Sequence, residues 1–346
     1  MTVAAAGQRR TAVRHGVSAA ELSLDALLAE DRPVILRGMA GDWPLVAAGR
    51  AGADVAIAYL KRFDAGRAVV GYTGAAETAG RFFYRDDWSG FNFTAERVGL
   101  SAYLDRIAAA RGAAGAPAFY VGSTDLDTYL PGLRDDNDLR LPAPPASHDP
   151  PLASIWIGTR TVAATHYDMS NNLACCMVGR RRFTLFPPDQ VANLYPGPLD
   201  PTPAGQVVSM VDVAAPDLDR YPRFADALAA AEVAELEPGD VLFYPALWWH
   251  NVEALDDFNV LINYWWNAVP AFADTPMTTL LHGILALRDR PPAEKRAWAA
   301  MFDHYVFGDA DQASRHLPDA VRGDLSPLDE RAARRLRARL IDRMNR

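Results

Sequence analysis

Two textures of hydrophobic spacing divide the chain. Up to about residue 110, helical and extended patterns interleave. Ser18 followed by Glu21 has the form of a capping box, and Leu22, Leu24 and Leu27 follow at helical spacing, which predicts a helix opening there. Pro33-Val-Ile-Leu-Arg-Gly38 predicts a short buried strand closed by glycine. Residues 55–60 and 100–110 return to helical spacing, while 68–72 and 81–84 have the apolar, β-prone character of strands. Residues 1–17 carry no such pattern and are expected to be disordered.

The proline-rich stretch 141–151 has no periodicity and predicts a linker or surface loop. Beyond it, β-rich runs appear at 154–157, 173–178, 182–186, 241–244 and 260–266. Gly179, Pro187-Pro188, Pro238-Gly239-Asp240 and Pro245 punctuate them, as expected of a sandwich or barrel. Helical spacing resumes at 277–287, 294–305 and 328–344. The pattern predicts a mainly β fold with α additions. Its organisation would be a domain over 18–270, with a barrel core at about 116–270, and a C-terminal helical region over 271–346.

Composition narrows this reading. With 346 residues, half of them hydrophobic, the chain can bury one large core or two modest ones. A formal charge of −8 argues against a general nucleic-acid binder. The two cysteines, Cys175 and Cys176, are adjacent, which excludes a disulfide framework and suits a reducing cytoplasm. Residues 1–15 lack the apolar core of a signal peptide, and no run approaches the length of a membrane span.

His166-Tyr-Asp168 lies in a segment of extended character. Alternation aims His166 and Asp168 at one face and Tyr167 at the other. His250 ends the stretch Glu237-Pro-Gly-Asp-Val-Leu-Phe-Tyr-Pro-Ala-Leu-Trp-Trp-His250, in which a turn, a strand and a second turn deliver it to the next strand. Two histidines and one carboxylate leave three octahedral positions open, the facial arrangement of non-haem iron(II) oxygenases. His15, His148, His282, His304 and His316 lack comparable partners and are read as structural or surface residues.

At these residues the chain resembles the JmjC/cupin-like (cupin 8) family, and within it the branch containing the asparaginyl hydroxylase that inhibits hypoxia-inducible factor. The matches are His166-Tyr-Asp168, Phe183-Thr-Leu-Phe-Pro-Pro-Asp-Gln190, Leu194-Tyr-Pro-Gly-Pro198, Pro238-Gly-Asp-Val-Leu242 with Trp248-Trp-His250, and Asn263-Tyr-Trp265. They run in order across about 155–270, with weaker resemblance back to residue 18 and on into the last helices. The resemblance implies a double-stranded β-helix, or jelly roll, with Fe(II) on His166, Asp168 and His250. It also implies 2-oxoglutarate and dioxygen as co-substrates.

On that resemblance, Tyr120 meets the distal carboxylate of 2-oxoglutarate, and Asn172 and Asn263 lie beside the keto acid and the metal. Arg181 stands where the hydroxylase has a carboxylate-binding lysine, and Ala163 where it has a threonine. A guanidinium pairs with a carboxylate bidentately and stays charged, but it is larger than an ammonium, so the change is not neutral. Strand alternation sets Arg180 and Arg182 on the opposite face from Arg181. Trp249 and Trp266 are the better pocket candidates among the tryptophans if their face is inward, and Gln206 falls near a substrate loop.

The final helix, rich in arginine, also has Leu336, Leu340, Ile341 and Met344 on another face. Related hydroxylases dimerise through such helices, so a homodimer is expected. The leading expectation is an oxygenase acting on a protein or peptide side chain. A small-molecule hydroxylase and a non-catalytic cupin-type binding or regulatory protein remain alternatives. An open mouth at 195–221 would favour a peptide.

Overall fold

The computed structural model describes residues 9–144, 147, 149–309 and 311–345. Its chain divides into two compact units, residues 1–145 with 149–268, and residues 146–148 with 269–346.

In the first unit the elements run β1 (Arg9–Arg10), β2 (Ala12–His15), α1 (Leu24–Glu30), β3 (Val34–Arg37), α2 (Pro44–Ala51), α3 (Ala53–Lys61), β4 (Ala68–Gly74), β5 (Arg81–Phe82), β6 (Phe93–Gly99), α4 (Leu100–Ala110), β7 (Ala118–Asp125) and α5 (Leu126–Tyr129). Then come β8 (Leu152–Gly158), β9 (Val162–Tyr167), β10 (Asn171–Val178), β11 (Arg181–Phe186), α6 (Phe224–Ala230), β12 (Glu232–Leu236), β13 (Val241–Tyr244), β14 (Trp249–Ala254) and β15 (Asn259–Trp266). A nine-stranded sheet has the order β2-β3-β13-β10-β15-β8-β7-β4-β6, and a six-stranded sheet the order β1-β12-β11-β14-β9-β5. Strands β8 to β11 enter the two sheets alternately, as do β12 to β15, while β11 and β12 are antiparallel neighbours in the smaller sheet. The eight strands form the two facing four-stranded layers of a double-stranded β-helix, β13-β10-β15-β8 opposite β12-β11-β14-β9.

The strands β8, β10, β13 and β15 of the large sheet are buried on both faces, which is why they read as nearly unbroken apolar runs. Leu173, Cys175 and Met177 of β10 join Val260, Ile262, Tyr264 and Trp266 of β15 in a cluster shared with Leu45, Leu60, Leu104 and other helical residues. The intervening Ala174, Cys176 and Leu261 pack instead with Phe183, Leu185, Leu242 and Tyr244, filling the space between the sheets. Cys175 and Cys176 therefore face opposite ways, and both are free, buried thiols. A third cluster, including Phe186, Leu194, Phe224 and Trp249, covers the outer face of the smaller sheet.

Three expectations need correction. Residues 9–15 are ordered strands: β1 pairs with β12 and β2 with β3, so the N-terminal segment passes from one sheet to the other. Residues 1–8 of the stretch expected to be disordered, and His148, lie outside the described residues. The Ser18–Glu21 pair closes only a single 3-10 turn, Ala19–Glu21, and α1 starts later, where the Ser23 side chain accepts from the Ala26 amide. Strand β12 was not anticipated at all.

The second unit consists of helices α7 (Pro276–Leu287), α8 (Pro292–Phe302) and α9 (Glu330–Met344), with short turns between them. Among the described residues, no helix is long and apolar enough to cross a membrane.

Candidate metal centre

The three predicted ligands meet between the sheets. His166 of β9 and His250 of β14 are direct cross-strand partners, and Asp168 follows β9 by one residue. The Leu247 amide donates to the Asp168 carbonyl at 2.8 Å, fastening the loop that carries His250 to the first ligand pair. Their ligand atoms all lie within 4.8 Å of one another. His250 Nε2 is 3.6 Å from Asp168 Oδ2, and cis ligands about 2.1 Å from an ion stand about 3 Å apart, so little closure is needed.

Each histidine has its other ring nitrogen on a backbone carbonyl. His166 Nδ1 is 2.8 Å from Ala164 O, and His250 Nδ1 is 2.9 Å from Trp248 O. A carbonyl only accepts, so Nδ1 carries the proton in both rings and the Nε2 lone pairs point at the site. Burial, with His166 alongside, lowers the His250 pKa to about 4, which keeps that imidazole neutral and able to ligate. Asn172 Nδ2 donates to Asp168 Oδ2 at 3.3 Å, and Asn172 Oδ1 accepts from Asn263 Nδ2 at 2.8 Å, so both asparagines hold the carboxylate in place.

Arg181 begins β11 and faces inward in register with Phe183 and Leu185, whereas Arg180 and Arg182 face solvent and pair with Asp256 and with Glu235 and Glu253. It is 3% exposed, and its Nε and Nη2 have no hydrogen-bond partner. Its electrostatic neighbours are Tyr120 and Cys176 and no carboxylate, and desolvation lowers its pKa. Tyr120 projects from β7 into the same space, its phenol pKa raised by burial and opposed by Arg181. Tyr120 stacks on Phe82 at 5.8 Å and lies 5.9 Å from Trp156. The indole nitrogens of Trp156 and Trp265 and the Oδ1 of Asn263 also lack partners. Unfilled hydrogen-bonding capacity, mostly donors, therefore surrounds the space next to the ligands.

Ala163 pairs with Phe82 and Val252, the latter packed against the interior cluster, so it leaves room beside Tyr120 where a larger residue would intrude. Trp249 and Trp266 are not in this space. Trp249 packs on Tyr167 outside the smaller sheet, and Trp266 stacks on Phe243 outside the larger one. The inward tryptophans are Trp156, Trp248 and Trp265, and only the parity of each strand reveals it. Gln206 stands two residues before Val208, which bridges to His166. Tyr195 and Tyr221 are 5.0 Å apart and pack against the outer cluster. Two nearby carboxylates point elsewhere: Asp240 is a turn residue bonded to the Gly38 and Glu237 amides, and Glu253 pairs with Arg182 on the outer face.

A double-stranded β-helix with two histidines and an aspartate brought together at one end of its interior defines a cupin-type fold with a group that could hold a metal ion. The chain belongs to the cupin-like domain family, whose domain matches residues 19–272. Among curated proteins it is similar to the HSPB1-associated protein 1 homolog of Danio rerio, 40% identical over 115 residues, which is 33% of this chain and 25% of that protein. The tRNA wybutosine-synthesizing protein 5 of Danio rerio is 30% identical over 204 residues, 54% of this chain and 58% of that protein. The lysine-specific demethylase 8 of Xenopus tropicalis is 27% identical over 248 residues, 70% of this chain and 50% of that protein. The alignments thus cover from 25% to 58% of these relatives' own lengths.

Proposed function

We propose that the protein is an iron(II)- and 2-oxoglutarate-dependent oxygenase that hydroxylates a protein or peptide side chain. The observation that carries this reading is Arg181, a buried cation without a carboxylate, facing Tyr120 in the interior that also holds the ligand triad. Leaving a guanidinium so buried is costly unless an anion completes it. A keto acid bound to the metal at one end offers a carboxylate at the other.

In this reading His166, His250 and Asp168 bind iron on one face, and Asn172 and Asn263 orient the aspartate. Arg181 and Tyr120 receive the distal carboxylate. The apolar walls formed by Phe82, Val252 and Leu261 keep water from the reacting centre. With iron, 2-oxoglutarate and dioxygen bound, the centre would supply oxidative attack on a C–H bond coupled to decarboxylation of the keto acid.

Relatives named for lysine demethylation and for association with HSPB1 support a protein substrate. The formal charge of −8 weighs against the RNA that the wybutosine-synthesizing relative suggests. A cytoplasmic site of action and a homodimer belong to the same reading. The dimer has a physical motive in the second unit. No residue of α7 or α8 is buried, and Leu285, Phe307 and Ile341 are exposed, so its helices have apolar surface to cover.

Anaerobic titration of iron-loaded protein with 2-oxoglutarate tests the assignment. A visible charge-transfer band should appear in the parent, vanish in His166→Ala together with tight metal binding, and weaken in Arg181→Ala. Folded, iron-replete parent protein that shows no band would overturn it.

A further inference from the structure

Strand β13 puts one side-chain polar group into the interior. Alternation along Val241-Leu-Phe-Tyr244 turns Leu242 and Tyr244 inward, where they pack with Phe183 and Leu185, and sends Val241 and Phe243 into the outer cluster. Tyr244 lies opposite Asn172 on β10 and is 2% exposed. Its ring centroid is 4.7 Å from that of His250 and 6.0 Å from that of Phe183. The phenol is therefore held against the ring of a metal-ligand candidate.

The oxygen of this phenol stands between the two halves of the site. Its electrostatic neighbours are Asp168, of the ligand triad, and Tyr120, which faces Arg181. Its hydrogen-bonding neighbour is the Asn263 side chain. Asn263 Oδ1 has no partner, so that contact runs through the amide group, which gives one hydrogen to Asn172 Oδ1 and turns the other to the phenol. Tyr244 accepts there. Its own hydrogen has no acceptor among the described residues, although a phenol is protonated at neutral pH and a buried one ordinarily finds a partner. An apolar side chain would fill the space beside Leu242 and Phe183 equally well, so packing does not explain the hydroxyl. A ligand oxygen close to the metal ligands does.

We propose that Tyr244 donates its phenolic hydrogen to the metal-proximal carboxylate of the bound 2-oxo acid. The inference rests on the keto-acid reading above and adds a residue to it. Tyr244 and Arg181 divide the ligand between them. Leu185 is opposite His250, and Arg181 stands four residues earlier on β11, roughly 13 Å along the strand. The guanidinium thus serves the distal carboxylate, and the phenol, packed on the His250 ring, serves the other end.

Oxalate separates the two ends, because its adjacent carboxylates can chelate a metal and it has no distal arm. In the manganese-loaded full chain, calorimetry should show Tyr244→Phe weakening 2-oxoglutarate and oxalate alike, about tenfold or more, the loss of one hydrogen bond to a charged group. Arg181→Met should weaken 2-oxoglutarate and leave oxalate unchanged. Manganese affinity in Tyr244→Phe should match the parent. With iron and saturating 2-oxoglutarate, the charge-transfer band of Tyr244→Phe should move to longer wavelength, because a carboxylate relieved of a hydrogen bond donates more strongly to the metal.

A folded Tyr244→Phe protein that binds both ligands like the parent, or that loses 2-oxoglutarate and keeps oxalate, would overturn the inference and leave the keto-acid reading standing. An unmoved band would do the same. Loss of manganese affinity would overturn it by placing the phenol among the metal's own ligands. A manganese-loaded parent that binds neither ligand would overturn the keto-acid reading, and the inference with it.

Discussion

Replacing Arg181 with methionine should move stability and ligand binding in opposite directions. The guanidinium is 3% exposed, and two of its nitrogens lack acceptors. An unsatisfied buried donor costs about 1–3 kcal/mol, so these two alone weigh about 2–6 kcal/mol against the ligand-free fold. Methionine keeps an unbranched stem that adapts to the same space among Phe183, Leu236 and Cys176. Exchanges of buried ionic groups for apolar ones gain about 1–4 kcal/mol. Metal-free Arg181→Met should therefore melt higher, by about 2–4 °C for each kcal/mol in a domain of this size class.

The same change removes the cation facing Tyr120. Loss of one partner from a buried charge pair costs about 2–5 kcal/mol, so 2-oxoglutarate affinity should fall at least ~30-fold. Differential scanning fluorimetry of metal-free protein gives the first quantity and anaerobic charge-transfer titration the second. A variant that melts several degrees lower and binds 2-oxoglutarate like the parent would refute the reasoning. It would mark Arg181 as a structural cation.

His250 should make metal-free stability depend on pH. Its folded pKa, about 4, lies below the ordinary value of 6.5, so the unfolded state binds the proton more readily. Its contribution is complete above about pH 6.5 and falls by about 3 kcal/mol as pH drops toward 4; urea melts across that window, compared with His250→Gln, should show the slope only in the parent. Asp240→Ala should destabilise by about 2–4 kcal/mol without touching the metal ligands, because it removes the buried carboxylate of the Arg37 pair and strands the Gly38 and Glu237 amides. Denaturation with and without bound metal should give the same loss. Gly179→Ala should cost at least about 1 kcal/mol, because φ is +71° and an added Cβ would lie 2.3 Å from Asn259 Oδ1; thermal melts check it. Leu285→Asp with Phe307→Asp should turn a dimer into a monomer in light scattering while leaving the melting of the first unit unchanged.

The ligand triad was legible because it uses local rules. Alternation fixes His166 and Asp168 to one face over three residues, and the turn at Pro238-Gly239-Asp240 forces the chain back along the barrel toward His250. The same rule separated Arg181 from Arg180 and Arg182. It did not help with the tryptophans, because strands buried on both faces show no polar alternation to set their parity. Trp265 and Trp266 are equally apolar, and the choice between them depends on which sheet face holds the helices. Strands β1 and β2 were illegible for a different reason. Arg9, Arg10 and Arg14 are exposed edge residues whose order comes from pairing with β12 and β3, the former more than 200 positions away. No window along the chain contains that information.

The two kinds of site residue differ in what holds them. His166, His250 and Asp168 are fixed before any ligand arrives, by carbonyls at Ala164 and Trp248 and by the Asn172–Asn263 pair. A metal meeting them encounters little reorganisation, and removing it should leave their geometry intact. Arg181, Trp156, Trp265 and Asn263 Oδ1 instead hold unmet hydrogen-bonding capacity in the folded chain. Binding energy realised there is large because the alternative is not water but nothing. The triad therefore confers position and the unsatisfied groups confer selectivity, favouring an occupant rich in acceptors and negatively charged near Arg181. That division explains why Arg181→Met and Asp240→Ala, both changes to buried charges, should shift stability with opposite signs: Asp240 is matched within the fold, and Arg181 is not.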